Sequence, residues 1–180
     1  FMTVLIAESG QADRIPAEHR EAIVEEQANW MPIFAWVMGP VGIAVTLLVI
    51  AGVLMFVYRF FYSSEVTFRQ AFAIVTWIFF AVSLVSTPLM LLVLQLKGDW
   101  NINPQEVIQA NLGLFLEKSS AAKPLWALLS SIDLFSLWMV FLLAVGFGVA
   151  SKKPTGSAIW GVAIPWILIV LVKVGWAAMF

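Results

Sequence analysis

Long stretches without charge decide what this chain can fold into. Residues 27–58 contain no Asp, Glu, Lys or Arg, and residues 71–96 contain none either. Because about 20 apolar residues in a helix cross the hydrocarbon core of a bilayer, each stretch predicts a membrane-spanning helix. Two further apolar stretches, 125–150 and 155–180, carry one charge each and are predicted to span as well. The predicted fold class is an all-α polytopic membrane bundle, with residues 1–180 forming a single membrane domain.

The composition places the chain in lipid and excludes several functions. Hydrophobic residues make up 62% of it and charged residues 12%, which is outside the range of soluble domains. The formal net charge of -1 leaves no basic face for nucleic acid. Without cysteine, and with one histidine, the sequence predicts no catalytic residues, no metal site and no cofactor. The lipid bilayer is therefore the first predicted partner.

The span boundaries follow from the charges and the aromatic residues. We predict full spans at 33–58, 71–96, 125–150 and 155–180, and the third could instead begin at Asp133. The opening apolar run, residues 1–7, does not begin with methionine and stops at Glu8. We interpret it as the end of a truncated first span, which would give the full-length chain five spans. A secretory signal peptide is the alternative, but no basic region precedes the run.

Two short amphipathic helices are predicted between the spans. Residues 16–28 form the first and are strongly charged. The second covers residues 103–117 and begins with Asn103 as the N-cap, Pro104 at the first helical position and Glu106 at the third. Its apolar side chains can share one face, so we expect this helix to lie along the membrane surface.

The last two spans each carry one charge, Asp133 and Lys173. About 19.5 residues separate the turn near 152–153 from the acid and about 20.5 separate it from the base, so their depths differ by only about 1 to 2 Å. This spacing predicts a structural ion pair. In the alternatives, Asp133 caps a helix while Lys173 extends to the interface, or the two charges form a proton or ion relay.

Small residues and hydroxyl groups point to helix packing. Gly146 and Gly148 in the third span and Gly161 in the fourth should let these two helices approach closely. A polar patch interrupts the second span and is expected to kink it; it consists of Ser83, Ser86, Thr87 and Pro88. In lipid, such a patch needs neighbouring helices to satisfy its polar groups.

Two stretches near the end of the chain resemble a known family. Residues 130–138 read SSIDLFSLW, and residues 174–180 read VGWAAMF. They are similar to the Yip (Ypt-interacting protein) domain family of multi-span membrane proteins, in its bacterial branch. The resemblance extends over most of residues 15–180. The resemblance implies a five-span bundle with a cytoplasmic N-terminus. The family has no set of catalytic residues that could be assigned to positions of this sequence. Eukaryotic members of this family bind small GTPases and shape trafficking membranes.

The leading functional hypothesis is a non-enzymatic scaffold or accessory subunit of a membrane complex, or a protein of lipid organisation, in the bacterial inner membrane. Its partners would be other membrane proteins or a second copy of the chain. A transporter or channel component for a small molecule, ion or lipid is the alternative, and an intramembrane enzyme is disfavoured. We predict that the basic connections face the cytoplasm; their cations are Arg59, Arg69, Lys152 and Lys153.

Overall fold

The computed structural model describes residues 17–98, 110–115 and 122–179. Over these residues the fold is all-helical, which confirms the predicted class. The elements are α1 (Ala17–Phe61), α2 (Phe68–Lys97), a 3-10 helix (Leu112–Phe115), α3 (Lys123–Ser131), α4 (Leu134–Ser151) and α5 (Thr155–Met179).

Four of these segments are long and apolar enough to cross a membrane. They are Trp36–Phe61, Phe68–Lys97, Leu134–Ser151 and Thr155–Met179. They overlap the four predicted spans, because the length of an apolar run is the property that decides whether a helix can cross a bilayer. The predicted charged helix at 16–28 is continuous with the first of them, since α1 runs without a break from residue 17.

Local capping signals define both ends of α2. The Thr67 side chain accepts a hydrogen bond from the Gln70 backbone N–H, and the Gln70 side chain accepts one from the Thr67 N–H at 2.9 Å. This reciprocal pair is a capping box. At the other end, Gly98 adopts a left-handed conformation with φ of 65° and its N–H bonds to the carbonyl oxygen of Leu94. Glycine suits this position because it has no Cβ to clash with the backbone.

The predicted third span differs from the structure at its beginning. Residues 125–150 are divided between α3 and α4, and Asp133 lies between these helices in an extended conformation. The nine residues of α3 reach only about 14 Å, which is too short to cross a bilayer. The 18 residues of α4 reach about 27 Å, so the span begins where the Asp133 alternative placed it.

The described part of the predicted surface helix 103–117 is not a continuous α-helix. The N–H of Leu112 bonds to the carbonyl oxygen of Ile132 at 3.2 Å, and the N–H of Leu134 bonds to that of Ala110 at 3.1 Å. These antiparallel bonds attach the segment to the break between α3 and α4. In an α-helix over residues 103–117, the N–H of Leu112 would instead bond to a carbonyl oxygen four residues earlier. The predicted cap Asn103, Pro104 and Glu106, and the run 1–7, lie outside the described residues.

The apolar core is concentrated at one end of the bundle. Helix α4 packs against α5 and α2, α1 packs against α2, and α3 packs against α5. The core lies where α1 and α4 end and where α2 and α5 begin, a region called the packed end below. Its buried residues are Ala51, Leu54, Tyr58, Val66, Ala71, Val75, Val140, Leu143, Ala144, Phe147, Ala158 and Val162.

Candidate functional site

A buried tyrosine holds the packed end together. The Tyr58 side chain of α1 has no exposed surface, and its hydroxyl donates a hydrogen bond to the carbonyl oxygen of Ala158 in α5 at 2.5 Å. Its ring stacks on Phe147 of α4, with ring centroids 4.7 Å apart. One side chain of α1 therefore contacts two other helices, α4 and α5. A buried phenol needs such a partner because an unsatisfied hydroxyl is costly away from water.

Gly161 provides the space that this tyrosine occupies. A Cβ at Gly161 would lie 2.9 Å from Tyr58 Cζ and 3.1 Å from its hydroxyl oxygen. The sequence predicted Gly161 as a packing residue facing the third span, whereas the structure places it against α1. The role of Tyr58 was missed, because a tyrosine at the end of a span is equally typical of an anchor at the membrane interface.

The other two predicted packing glycines face different helices. A Cβ at Gly146 would lie 2.7 Å from Cγ2 of Ile74, so Gly146 faces α2 rather than α5. A Cβ at Gly148 would lie 3.4 Å from that of Ala158 and 3.2 Å from the carbonyl oxygen of Lys153. Gly148 therefore lies against the beginning of α5, as its predicted role requires. Helix α4 uses its glycines on two sides because it packs between α2 and α5.

The turn between α4 and α5 is tight and basic. Lys152 ends α4 with φ of 56°, and its N–H bonds to carbonyl oxygens of the last turn, that of Gly148 among them. The N–H of Lys153 bonds to the Gly148 carbonyl oxygen at 2.9 Å. Beyond the turn, the Tyr62 hydroxyl donates to the carbonyl oxygen of Ser157 at 2.8 Å. The end of α1 is therefore joined to this turn as well as to the core.

Asp133 is the N-cap of α4. Its Oδ1 accepts hydrogen bonds from the N–H of Phe135 at 2.9 Å and of Ser136 at 3.0 Å, and its Oδ2 accepts one from the Ser136 hydroxyl. The carboxylate satisfies N–H groups at the start of the helix, and its negative charge lies favourably at the helix N-terminus. The cap alternative is therefore what the structure shows for this carboxylate.

Lys173 lies at the same end of the bundle as Asp133, but its side chain hydrogen-bonds to another residue. Its Nζ donates to the Ser131 hydroxyl at 3.0 Å, and that hydroxyl donates to the carbonyl oxygen of Ala127 at 2.7 Å. The lysine thus joins the end of α5 to the end of α3. A direct ion pair between Asp133 and Lys173 stays a prediction.

The polar patch of α2 lies on the outside of the bundle. Ser83, Thr87 and Pro88 are exposed, and Ser86 is half-buried. Helix α2 continues through Pro88 to Lys97. The patch is near the middle of this 30-residue helix, so it would lie near the centre of a bilayer.

A shallow groove separates α1 from α2 on the outer surface. Its volume is about 380 Å³, and its lining consists of Met38, Gly39, Gly42, Ile43, Thr46, Leu47 and Phe79. The Thr46 hydroxyl is used within α1, where it donates to the carbonyl oxygen of Gly42 at 2.8 Å. Among the described residues, no three His, Asp or Glu side chains are grouped so that they could hold a metal ion.

These features define a polytopic helical membrane protein whose four apolar helices meet in a core at one end. The family model of the Yip1 domain matches residues 9–177, nearly the whole chain, and the protein therefore belongs to the Yip1 domain family. This confirms the resemblance noted in the sequence. Comparisons with curated proteins and with solved structures gave no match.

Proposed function

We propose that this protein is a non-enzymatic scaffold or accessory subunit that packs against another membrane protein through the outer face of α2. The observation that carries the proposal is the exposure of Ser83 and Thr87 near the middle of a helix whose central residues are mostly apolar. Hydroxyl groups at this depth find few partners in lipid chains. A neighbouring helix can supply them.

The proline next to these hydroxyls strengthens the argument. Pro88 has no N–H, so the carbonyl oxygen of Leu84 loses its usual helical donor. Transmembrane helices tolerate such a gap where hydroxyl side chains or neighbouring helices satisfy the carbonyl group. Small hydroxyl-bearing residues are also enriched where membrane helices pack closely. The α2 face thus has the chemistry of a helix-helix contact, and a bacterial inner membrane would be the location.

A transporter is less well supported by the described residues. A path for an ion or polar solute needs polar groups facing a shared cavity. The groove between α1 and α2 is lined by apolar side chains and glycine, except for Thr46, whose hydroxyl is bonded within its helix. The Asp133 carboxylate, the natural candidate for a relay, accepts hydrogen bonds from Phe135 and Ser136 at a helix cap. Neither feature favours transport over packing.

The test is purification of the full-length protein from its native membrane in mild detergent, followed by mass spectrometry of the proteins that elute with it. We expect a membrane protein, or a second copy of the chain, in fixed ratio. Replacing Ser83→Leu should lower that ratio, because a bulkier side chain blocks close approach. The matched control is Val172→Leu on the exposed face of α5, which should leave the ratio unchanged. A protein that elutes alone, or a ratio insensitive to Ser83→Leu, contradicts the proposal.

A further inference from the structure

Four cations lie at the packed end of the bundle. Arg59 lies in the last turn of α1 and Arg69 in the first turn of α2, whereas Lys152 and Lys153 belong to the turn between α4 and α5. All four side chains are exposed, and Glu65 is the single acidic residue within residues 59–69 and 151–154. The four cations are called the basic surface below. Its net charge, with Glu65 included, is +3.

Hydrogen bonds between the end of α1 and the start of α5 bring these cations to the same end of the bundle. The Tyr58 and Tyr62 hydroxyls on one side donate to the carbonyl oxygens of Ala158 and Ser157 on the other, at 2.5 and 2.8 Å. Arg59 lies between these tyrosines in sequence, and the two carbonyl groups belong to the first turn after the lysines. These bonds therefore hold the end of α1, which carries Arg59, against the start of α5, which follows the two lysines.

Exposed aromatic rings set the depth of the basic surface in the membrane. Phe60 and Phe61 next to Arg59 are 68% and 70% exposed, and Trp160 in the second turn of α5 is 58% exposed. Aromatic side chains at the ends of apolar helices concentrate where the hydrocarbon core meets the headgroups. Arg59 lies in the same helical turn as Phe60 and Phe61, and the two lysines precede the helix that carries Trp160, so the cations are expected close to the level of the lipid phosphates.

Lys152 adopts a backbone conformation that is unfavourable for a residue with a side chain. Its φ of 56° is in the left-handed region, where glycine is the usual C-cap residue because other side chains are disfavoured. The chain places glycine at the corresponding position of α2, where Gly98 has φ of 65°. Keeping lysine at the end of α4 makes sense if its side chain contributes an interaction that glycine lacks.

We propose that the basic surface binds the phosphate groups of anionic phospholipids. Charge complementarity carries the assignment: Arg and Lys donate charge-assisted hydrogen bonds to phosphate oxygens, and clusters of such cations beside membrane helices attract anionic lipids. The lipid site goes beyond the proposed scaffold role, because it needs no protein partner. An acidic segment of another protein is the competing occupant, and the experiment separates the two.

The experiment reconstitutes the full-length protein in vesicles of phosphatidylcholine with a minor fraction of phosphatidylglycerol. The protein is then extracted in mild detergent, and the ratio of the two lipids that remain bound is measured by mass spectrometry. We expect phosphatidylglycerol to be enriched over its bulk fraction, and high salt to reduce the enrichment. Lys152→Gly should lower the preference by up to about fivefold, the limit for one interfacial cation.

Lys152→Gly separates binding from folding, because glycine relieves the backbone at that position while removing the charge. The matched control is Ser63→Gly, which relieves the other positive φ, 47°, at the same end of the bundle without removing a cation. It should keep the wild-type lipid ratio. Lys97→Gln, a cation lost at the opposite end, should keep it too.

Three results would overturn the proposal. One is a bound lipid ratio equal to the bulk ratio in the wild-type protein. Another is an equal loss of preference in Lys152→Gly and Lys97→Gln, which would mean that any cation suffices. The third is a wild-type preference that survives replacement of all four cations by glutamine or glycine, while an acidic protein partner is lost from native membrane extracts.

Discussion

Tyr58 and Ala158 are 100 residues apart in sequence, and the hydroxyl of the first donates a hydrogen bond to the carbonyl oxygen of the second. The bond joins the last turns of α1 to the first turn of α5. Because the same ring stacks on Phe147, α4 is held at the same point. The packed end is therefore a specific arrangement of side chains, whereas residues 36–46 of α1 and most of residues 83–97 of α2 are exposed.

Removing this hydroxyl should destabilise the bundle. We expect Tyr58→Phe to lower the free energy of unfolding by about 1 kcal/mol, because the ring stays packed and one hydrogen bond is lost. Unfolding of the purified protein by denaturing detergent in mixed micelles measures the change. Tyr62→Phe is the control and should cost less, since its bond to Ser157 lies at the exposed surface. A larger loss in Tyr62→Phe than in Tyr58→Phe would contradict the role assigned to Tyr58.

Adding a methyl group at Gly161 should disturb the same contact. A Cβ there would lie 2.9 Å from the ring of Tyr58, which is itself held by its hydrogen bond and by Phe147. We expect Gly161→Ala to cost about 1–3 kcal/mol through overpacking. Gly52→Ala is the control, because a Cβ at that helical position meets nothing within 4 Å. Unfolding should show Gly52→Ala to be neutral or stabilising, by up to about 1 kcal/mol, and equal losses in both variants would contradict the proposed contact.

The spans could be predicted from the sequence because their signal is local. The predicted spans 33–58, 71–96 and 155–180 lie within a few residues of Trp36–Phe61, Phe68–Lys97 and Thr155–Met179, since crossing a bilayer requires apolar length whatever the neighbours are. The spacing of Asp133 and Ser136 likewise carried a cap signal that needs only one helix turn. What remained open was whether α3 continued into α4, because both are apolar and the break depends on backbone bonds to residues 110–112.

The partners of individual residues could not be predicted in the same way. Gly146 and Gly161 were expected on a shared interface, yet they face α2 and α1, because helix rotation is set by the whole bundle. Lys173 and Asp133 were expected at similar depth from their distances to the turn. The lysine contacts Ser131, which belongs to α3, and the predicted third span had joined α3 and α4 into one. The depth of a residue along its helix can be estimated by counting residues from the turn, whereas the neighbour that its side chain faces depends on how the helices pack.

The cap role of Asp133 predicts a specific order among its variants. Asp133→Ala should cost about 0.5–2 kcal/mol of stability, because the N–H groups of Phe135 and Ser136 lose their acceptor. Asp133→Asn should cost less, since an amide oxygen can still accept from the helix N-terminus. Detergent-induced unfolding measures both. If Asp133→Asn were as damaging as Asp133→Ala, the negative charge rather than the cap would be the important property.

The contact of Lys173 can be separated from an ion pair by double-mutant cycles. We expect Lys173→Met and Ser131→Ala to be coupled by roughly 0.5 kcal/mol or more, because each removes one side of the same hydrogen bond. A second cycle with Lys173→Met and Asp133→Asn tests the predicted ion pair. Coupling in the second cycle alone would contradict the Ser131 contact, and coupling in both would place the ammonium group between the two acceptors.

The exposed polar face of α2 is the basis of the proposed function. Because the sequence contains no cysteine, contacts of this face can be measured by cross-linking at introduced single cysteines. Single cysteines at Ser83 and Thr87 can be introduced with little change in size, and cross-linked in native membranes before any detergent is added. We expect one discrete cross-linked protein product at both positions and none at Val172→Cys, on the exposed face of α5. No product at Ser83 and Thr87, or the same mixture of products at all three positions, would contradict packing through α2.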